Sequence, residues 1–274
     1  MHLKKISRNI SLVAVTLLLA MVCMVNNAAA QSMADADTWQ YEFTIYGWFT
    51  SIDGSLKYSV PPGSGSNVTV DTSDILDSLN FVFMGTFVAQ KSKLSFGADV
   101  LYMDLSNSTS TTINVGPGPG PGVPVSATAG LDLKSWVVTG IVGYDVAQSN
   151  KNRTAVIGGF RYLDLSADTD ITVNGPLPPT PPPAYVSGSN DFWDVIVGFR
   201  GAFMLNEKWY FPYYADIGSG QSNLTWQLYA GIGYNFSWGN IRLGYRYLEY
   251  DQDDDKFVQD LKFYGPVAGI GFRF

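Results

Sequence analysis

The feature of this 274-residue sequence that most restricts its fold is a two-residue alternation, which places aromatic and charged side chains on opposite faces. In the segment DFWDVIVGFRGAF, Trp193, Val195 and Phe199 share one face, while Asp194 and Arg200 share the other. A period of two is the repeat of a β-strand, whose successive side chains point to opposite sides of the sheet. About ten segments show this pattern, so the sequence predicts an all-β fold.

Nine charged residues of the predicted strands lie on the face opposite the aromatic residues. They are Glu42, Asp99, Arg161, Asp194, Arg200, Asp216, Arg242, Arg246 and Arg273. A soluble sandwich would turn its apolar faces to a shared core and faces rich in Lys and Glu to water. Here the inward faces are expected to hold Gly, Ser, Thr, Gln, Asn and these few charges, which is typical of a confined lumen. Because an arginine at the bilayer midplane costs about 2–4 kcal/mol, we expect a closed, antiparallel, up-and-down transmembrane β-barrel.

Short and long connections alternate along the chain, as they do in outer-membrane barrels. Short turns are predicted at 91–93, 148–153, 206–208 and 238–240, and long loops at 51–79, 107–130, 167–190 and 251–260. Even strand numbers are usual for a single bacterial chain, so ten strands are expected, and eight or twelve stay open. SLKYSV and SNVTV, in the first long loop, either extend the flanking strands or form an extra hairpin.

Two of the predicted loops contain runs of proline and glycine, VGPGPGPGVPV and NGPLPPTPPPAYV. Proline has no amide donor and favours an extended conformation without a hydrogen-bonded partner. We therefore expect these segments to stay outside the sheet. They are either stiff surface displays for a partner or loop tips that resist aggregation.

Residues 1–30 are predicted to be a cleaved signal peptide. A basic start, MHLKKISRN, precedes the apolar run ISLVAVTLLLAMVCMV, and Ala30 ends an A-x-A cleavage site. The remaining residues, 31–274, are expected to form one outer-membrane barrel with long extracellular loops. The sequence contains one cysteine and one histidine, Cys23 and His2, and both would leave with the signal peptide. The mature chain would then have no disulfide and no histidine chemistry.

The predicted mature chain is acidic. Because Lys4, Lys5 and Arg8 lie in the signal peptide, the net charge falls from −7 for the whole sequence to roughly −10. A strongly negative chain is a poor partner for a phosphate backbone. We therefore expect no binding to nucleic acid.

The last strand carries the most specific motif of the sequence. In AGIGFRF and the residues before it, Pro266, Ala268, Ile270, Phe272 and Phe274 share one face, and Phe274 is the final residue. This signature resembles that of the small, porin-like outer-membrane β-barrel families of Gram-negative bacteria. IYGWFTSIDGSL, DILDSLNFVFMG, GYRYLEYD and GFRF also resemble a widespread group of such proteins with no settled activity. The resemblance implies a location in the cell outer membrane and makes the terminal aromatic strand an assembly signature, read by the barrel-assembly machinery.

A weak repeat, LYMDLS, RYLDLS and RYLEYD, precedes three of the predicted loops. It places three tyrosines outward, followed one dyad later by the acids Asp104, Asp164 and Glu249. We expect the tyrosines in an outer aromatic girdle and the acids at the level of lipid headgroups. The acids either contact lipopolysaccharide through shared divalent cations or mark where the strands enter water. No metal site is firmly predicted.

The residues point to a function without catalysis. Known barrel enzymes of this membrane generally use a histidine beside a serine or aspartate, and histidine is missing from the predicted mature chain. We expect a non-enzymatic integral protein without a cofactor. Its expected partners are outer-membrane lipid, lipopolysaccharide and the barrel-assembly machinery, and the sequence does not set its oligomeric state.

Two functions stay open for such a barrel. In the first, the lumen is largely filled, its charges are paired as buried ions must be, and the role is structural or one of surface interaction. In the second, the charges line a narrow porin-like channel for passive diffusion of small solutes. Wide aqueous channels are typical of roughly sixteen strands or more, so ten strands favour the filled lumen.

Overall fold

Twelve β-strands make up the described part of the chain. The computed structural model describes residues 38–57, 65–70, 78–115, 123–174, 184–252 and 258–274, so the predicted signal peptide lies outside it. The strands are β1 Gln40–Trp48, β2 Ser51–Lys57, β3 Gly65–Val70, β4 Leu79–Lys91, β5 Leu94–Val115, β6 Val123–Gln148, β7 Asn152–Asn174, β8 Ala184–Met204, β9 Trp209–Gly220, β10 Leu224–Asn235, β11 Gly239–Asp251 and β12 Val258–Arg273. No helix within these ranges is long and apolar enough to cross a membrane.

Ten of the strands close into an antiparallel barrel. β1 pairs with β4, and every strand from β4 to β12 pairs with the next one in the chain. β12 then pairs with β1, from Glu42 and Arg273 to Trp48 and Val267. At the other end Tyr41 and Phe274 exchange two backbone hydrogen bonds of 3.0 Å. The all-β, closed, up-and-down barrel of ten strands is thereby confirmed.

The two remaining strands form the extra hairpin that the sequence left open. β2 continues the line of β1 along β12, since Trp48 pairs with Val267 and Ser51 pairs with Tyr264. A Cβ atom on Gly265, between these pairs, would lie 2.0 Å from the carbonyl oxygen of Phe49, so only glycine allows this close passage. β3 folds back on β2. The residues SLK of SLKYSV thus continue the line of the first strand, SNVTV folds back on them as a hairpin, and 58–60 lie outside the described residues.

Two of the predicted long loops are largely strand, which corrects the sequence analysis. β5 and β6 stay paired as far as Val115 and Val123, and β7 and β8 as far as Ile171 and Ala184. The Ser- and Thr-rich segments there alternate only weakly, so their sequence does not distinguish a strand from a loop. Cross-strand pairs of Thr and β-branched residues nevertheless stabilise a ladder once a hairpin partner is present. The two proline-rich segments, expected to stay outside the sheet, enter it at their ends: 123–125 belong to β6, where Pro124 lies opposite Asn114, and 184–186 belong to β8. Their central parts, 116–122 and 175–183, lie outside the described residues.

The outward face of the barrel is apolar. Trp193, Val195 and Val197 on β8 have exposed fractions of 51%, 68% and 57%. Asp194 and Ile196, which alternate with them, are 2% and 0% exposed. Other strands repeat this arrangement, with exposed Phe, Trp, Leu and Val around the circumference. A continuous apolar surface of this kind is unusual for a protein dissolved in water.

The inward face changes chemistry halfway along the barrel. One row of ladder partners across β5 to β8 is polar: Asp99, Thr139, Arg161 and Asp194. The next inward row, one dyad further from the tight turns, is apolar: Leu101, Val137, Leu163 and Phe192. The expectation of a polar inward face is therefore correct for only one half of the barrel.

We call the buried inward cluster of the second half the apolar layer. Its members are Trp48, Met84, Leu101, Met103, Leu105, Val137, Leu163, Leu165, Phe192, Leu248, Tyr250, Leu261, Phe263 and Val267. They come from eight strands around the wall, β1, β4 to β8, β11 and β12, and so pack across the interior. The layer separates the half with the long hairpins from the half with the tight turns.

Candidate functional site

A large polar cavity occupies the half of the barrel with the tight turns. Its volume is about 1020 Å³, and inward side chains of all ten barrel strands line it. Glu207 and Ser237, which lie in turns, border the cavity and place its mouth at that end. The volume matches that of small-molecule sites, which run from about 300 to 1,000 Å³. We call this space the polar cavity.

Glu42 on β1 is the centre of a first charged cluster near the mouth. Arg273 donates from Nε to the carboxylate of Glu42 at 2.9 Å, and Arg242 forms a second ion pair with it. Asn240 donates to Glu42 at 2.8 Å and accepts from the hydroxyl of Tyr210 at 3.0 Å. Three strands that meet at the barrel closure, β1, β11 and β12, are thereby joined through side chains as well as backbone.

Asp99 on β5 anchors a second cluster, at the boundary with the apolar layer. It accepts hydrogen bonds from Arg246 at 2.8 Å, from Tyr46 at 2.8 Å and from Thr86 at 2.9 Å. Arg246 also donates to the Tyr46 hydroxyl at 2.9 Å, and its guanidinium lies 4.6 Å from the ring of Trp48. Cation–π contacts of this kind are favourable in a desolvated site, so Arg246 connects the polar cavity to the apolar layer.

Arg161 on β7 is the most deeply buried charge, with no exposed surface. It donates to Asp216 at 2.5 Å and to Thr225 at 3.0 Å. The hydroxyl of Tyr214 donates to the same oxygen of Asp216. A buried cation is tolerated only when it is paired and hydrogen-bonded, and this arrangement meets both conditions.

Seven of the nine charges named from the sequence thus take part in ion pairs. Asp194 instead accepts the backbone N–H of Ser222 at 2.8 Å, which fixes the loop between β9 and β10. Arg200 lines the polar cavity, and its side chain has no ion pair or hydrogen bond among the residues that the structure describes. A role for these charges in function stays a prediction.

One ion pair of the polar cavity lies outside the set of charges predicted from the sequence. Arg153 donates to Asp145 at 2.6 Å, and Gln90 donates to the same carboxylate at 3.2 Å. Asp145 shares the inward phase of Ser135 and Thr139 on β6, which was a signal available in the sequence. Arg153 lies at the start of β7, where no aromatic residue indicates which face of the strand it takes.

The three outer-rim acids lie on separate strands. They are Asp104 on β5, Asp164 on β7 and Glu249 on β11. Tyr162 donates to Asp164 at 3.3 Å, Tyr247 donates to Glu249 at 2.7 Å, and Asn80 donates to Asp104 at 3.3 Å. The fold does not bring the acids together, and within the described ranges no group of three or more His, Cys, Asp or Glu side chains could hold a metal ion. Their contact with lipopolysaccharide stays a prediction.

The residues of the terminal signature face outward along the closing strand. The ring of Phe274 stacks on Tyr41 with a centroid distance of 5.8 Å, and Phe272 lies 5.6 Å from the ring of Trp238. Ile270 is 44% exposed on the same face. Recognition of this face by an assembly machinery stays a prediction.

No family model and no curated protein matches the chain. Solved structures of similar shape include the outer membrane protease OmpT from Escherichia coli, at 8% identity and TM-score 0.45 over 90% of this chain and 100% of that chain. The translocator domain of the autotransporter NalP from Neisseria meningitidis has 12% identity and TM-score 0.41 over 97% and 98%. Ail, the attachment invasion locus protein of Yersinia pestis, has 10% identity and TM-score 0.30 over 87% and 99%. These matches belong to the class of barrels that the sequence resembles, and no activity is transferred from them.

Proposed function

We propose that the chain is a non-enzymatic integral protein of a Gram-negative outer membrane, whose barrel is closed to through-flow. The apolar layer carries this proposal. Leu163, Phe192 and Leu248 reach it from β7, β8 and β11 with exposed fractions of 0%, 2% and 0%. Side chains that exclude water from the middle of a barrel leave no polar path for a hydrated solute. The role is then structural or one of binding at the surface.

The outward surface supports the membrane location. Closed barrels pair every strand edge, which is what the hydrocarbon region demands of a β-structure. Exposed apolar side chains such as Val195 on β8 and Leu243 on β11 cover the wall at 68% and 56% exposure. In this setting the tight turns face the periplasm and the long hairpins face outward. The polar cavity would then open to the periplasm.

The charges of the polar cavity support a function without catalysis. The carboxylates that face it from the barrel strands, Glu42, Asp99 and Asp145, are each bound by an arginine. The sequence offers no histidine beyond His2 to act as a general base.

Conductance of the mature protein, refolded into planar bilayers, tests whether the barrel is closed. We expect the wild-type barrel to show no discrete current steps. Replacement of three apolar-layer residues by serine, in the variant Leu101→Ser, Leu163→Ser, Leu248→Ser, should create steps because it wets the layer. The matched control replaces three outward residues, in the variant Val195→Ser, Leu228→Ser, Leu243→Ser, and should stay silent. Steps in the wild type would contradict the closed barrel.

A narrow porin-like channel is the second candidate, and the polar cavity favours it. Its charged lining already covers half of the length of the barrel, so a small rearrangement of the apolar layer would complete a path. In that case Arg246→Gln, at the boundary between the two halves, should change the size or the ion selectivity of wild-type steps. A silent wild type would end this alternative.

A charge placed on the outward face tests the membrane location. Val197 is 57% exposed and lies within β8, away from both ends of the strand. Val197→Arg should lower the free energy of unfolding in phospholipid vesicles by about 2–4 kcal/mol, because the guanidinium would face hydrocarbon. Val197→Leu is the control and should have little effect. A barrel that tolerates Val197→Arg, or that is folded and monodisperse in buffer without detergent, would contradict the proposal.

A further inference from the structure

Arg200 differs from the other arginines of the polar cavity in forming no ion pair within the described ranges. Five arginines line this space, and four of them, Arg153, Arg242, Arg246 and Arg273, form ion pairs with strand carboxylates. The side chain of Arg200 forms none with any residue in the described ranges. Asp145, which faces the same space, is already bound by Arg153 at 2.6 Å and by Gln90 at 3.2 Å.

The guanidinium of Arg200 extends across the interior. Arg200 lies on β8, yet a Cβ atom built on Gly97 of β5 would be 3.5 Å from its Nη1 atom. β6 and β7 separate these strands in the wall, so the side chain reaches over the inner surface of two strands. The guanidinium therefore lies inside the polar cavity.

The side chains that line the cavity around Arg200 carry a small excess of positive charge within an acidic chain. Its five arginines face four acids, Glu42, Asp99, Asp145 and Glu207, and the last of these lies exposed in a turn. Partly buried cations are unfavourable without a partner. Guanidinium groups present paired N–H donors that match the two oxygens of a carboxylate or a phosphate.

We propose that the polar cavity is a binding site for a small oxyanion, held by Arg200. The ligand carries a carboxylate or phosphate group and enters from the end of the tight turns. The cavity, at about 1020 Å³, has room for an organic molecule behind this group. The proposal does not depend on whether the barrel conducts, because the mouth of the cavity and Arg200 lie on the same side of the apolar layer.

Titration of the refolded mature barrel in zwitterionic detergent tests the site. Sodium phosphate and sodium benzoate are added separately at constant ionic strength, with sodium chloride as the reference, and binding is followed by calorimetry and by the shift in Tm. At least one oxyanion should bind and raise the Tm, whereas chloride should not. Binding of phosphate alone assigns an inorganic or phosphorylated ligand, and binding of benzoate alone assigns an organic acid. No binding of either would overturn the proposal.

Substitutions locate the binding at Arg200. Arg200→Gln should weaken oxyanion binding by about tenfold or more, the loss expected for charge-assisted hydrogen bonds, and Arg200→Lys should retain part of it. Lys151→Gln removes the same charge from an exposed turn at the same end of the barrel and should leave binding unchanged. Equal binding by Arg200→Gln and the wild type would contradict the assignment.

A second variant keeps Arg200 and supplies an internal counter-ion. Ala155 is the ladder partner of Arg200 on β7 and lines the cavity. Ala155→Asp places a carboxylate within reach of the guanidinium, because directly opposite residues have Cβ atoms about 4.5–5.5 Å apart. It should abolish oxyanion binding in a folded barrel, and undiminished binding would overturn the role of Arg200.

Discussion

The two halves of the barrel share their strands but differ in what the inward side chains are: charged and paired in one half, apolar and packed in the other. On β7, Arg161 and Leu163 are successive inward residues, and both are fully buried. The first is held by an ion pair of 2.5 Å and the second by packing in the apolar layer. The strand period decides only which face a residue takes. The position along the barrel axis decides whether an inward side chain needs a hydrogen-bonded partner or only has to fill space.

The two halves should therefore respond differently to substitution. Stability of the apolar layer depends on packed volume, so that shortening a side chain leaves a void. Stability around the polar cavity depends on pairing, so that removing one partner leaves a buried charge. Substitutions that keep side-chain volume should be tolerated in the apolar layer but not around the polar cavity. Substitutions that keep charge should be tolerated around the polar cavity but not in the apolar layer.

The largest effect is expected where a charge is fully buried. Arg161→Met should lower the free energy of unfolding by about 3–5 kcal/mol, because Asp216 would keep a buried negative charge without its cation. Denaturant titration in phospholipid vesicles measures it. Arg273→Met is the control, expected to cost under about 1 kcal/mol, because Arg273 is exposed and Glu42 keeps its pair with Arg242. Similar losses for both variants would remove the distinction.

Truncation within the apolar layer should have the next largest effect. Leu163→Ala should lower the free energy of unfolding by about 2–5 kcal/mol through lost burial and the cavity that remains. The outward control, Leu243→Ala, should cost less, because lipid chains fill the space that the side chain leaves. The same vesicle titration compares them. A larger loss at Leu243 than at Leu163 would show that the layer is loosely packed.

The smallest effect is expected at the boundary between the halves. Tyr46→Phe removes the hydroxyl that bonds both Asp99 and Arg246, so the free energy of unfolding should fall by about 1–2 kcal/mol. Tyr102→Phe, on the outward face beside Trp136, should change it by less than about 0.5 kcal/mol. If Tyr46→Phe has no effect, the boundary cluster does not couple the two halves.

Much of the barrel could be predicted from the sequence, because alternation is a local property. The strand faces, the ten-strand ring and the tyrosine–acid neighbours at the rim each follow from residues two positions apart. The apolar layer could not be recognised, since Leu101, Val137 and Leu163 form one level only after the ladder registers are fixed. The ion-pair partners could not be predicted either, because they depend on contacts between distant strands. Arg161 pairs with Asp216, 55 positions away, and that Arg200 forms no ion pair is visible only once its neighbours in space are known.

The backbone bonds between Tyr41 and Phe274 also constrain the order of events during folding. They join β1 to the end of β12, so the contact that closes the ring links residues far apart in the sequence, and contacts of this kind form slowly. Until β12 is in place, two sheet edges stay unpaired and prone to aggregate. A fragment that stops short of β12 would therefore be a hazard to the cell and not a smaller barrel.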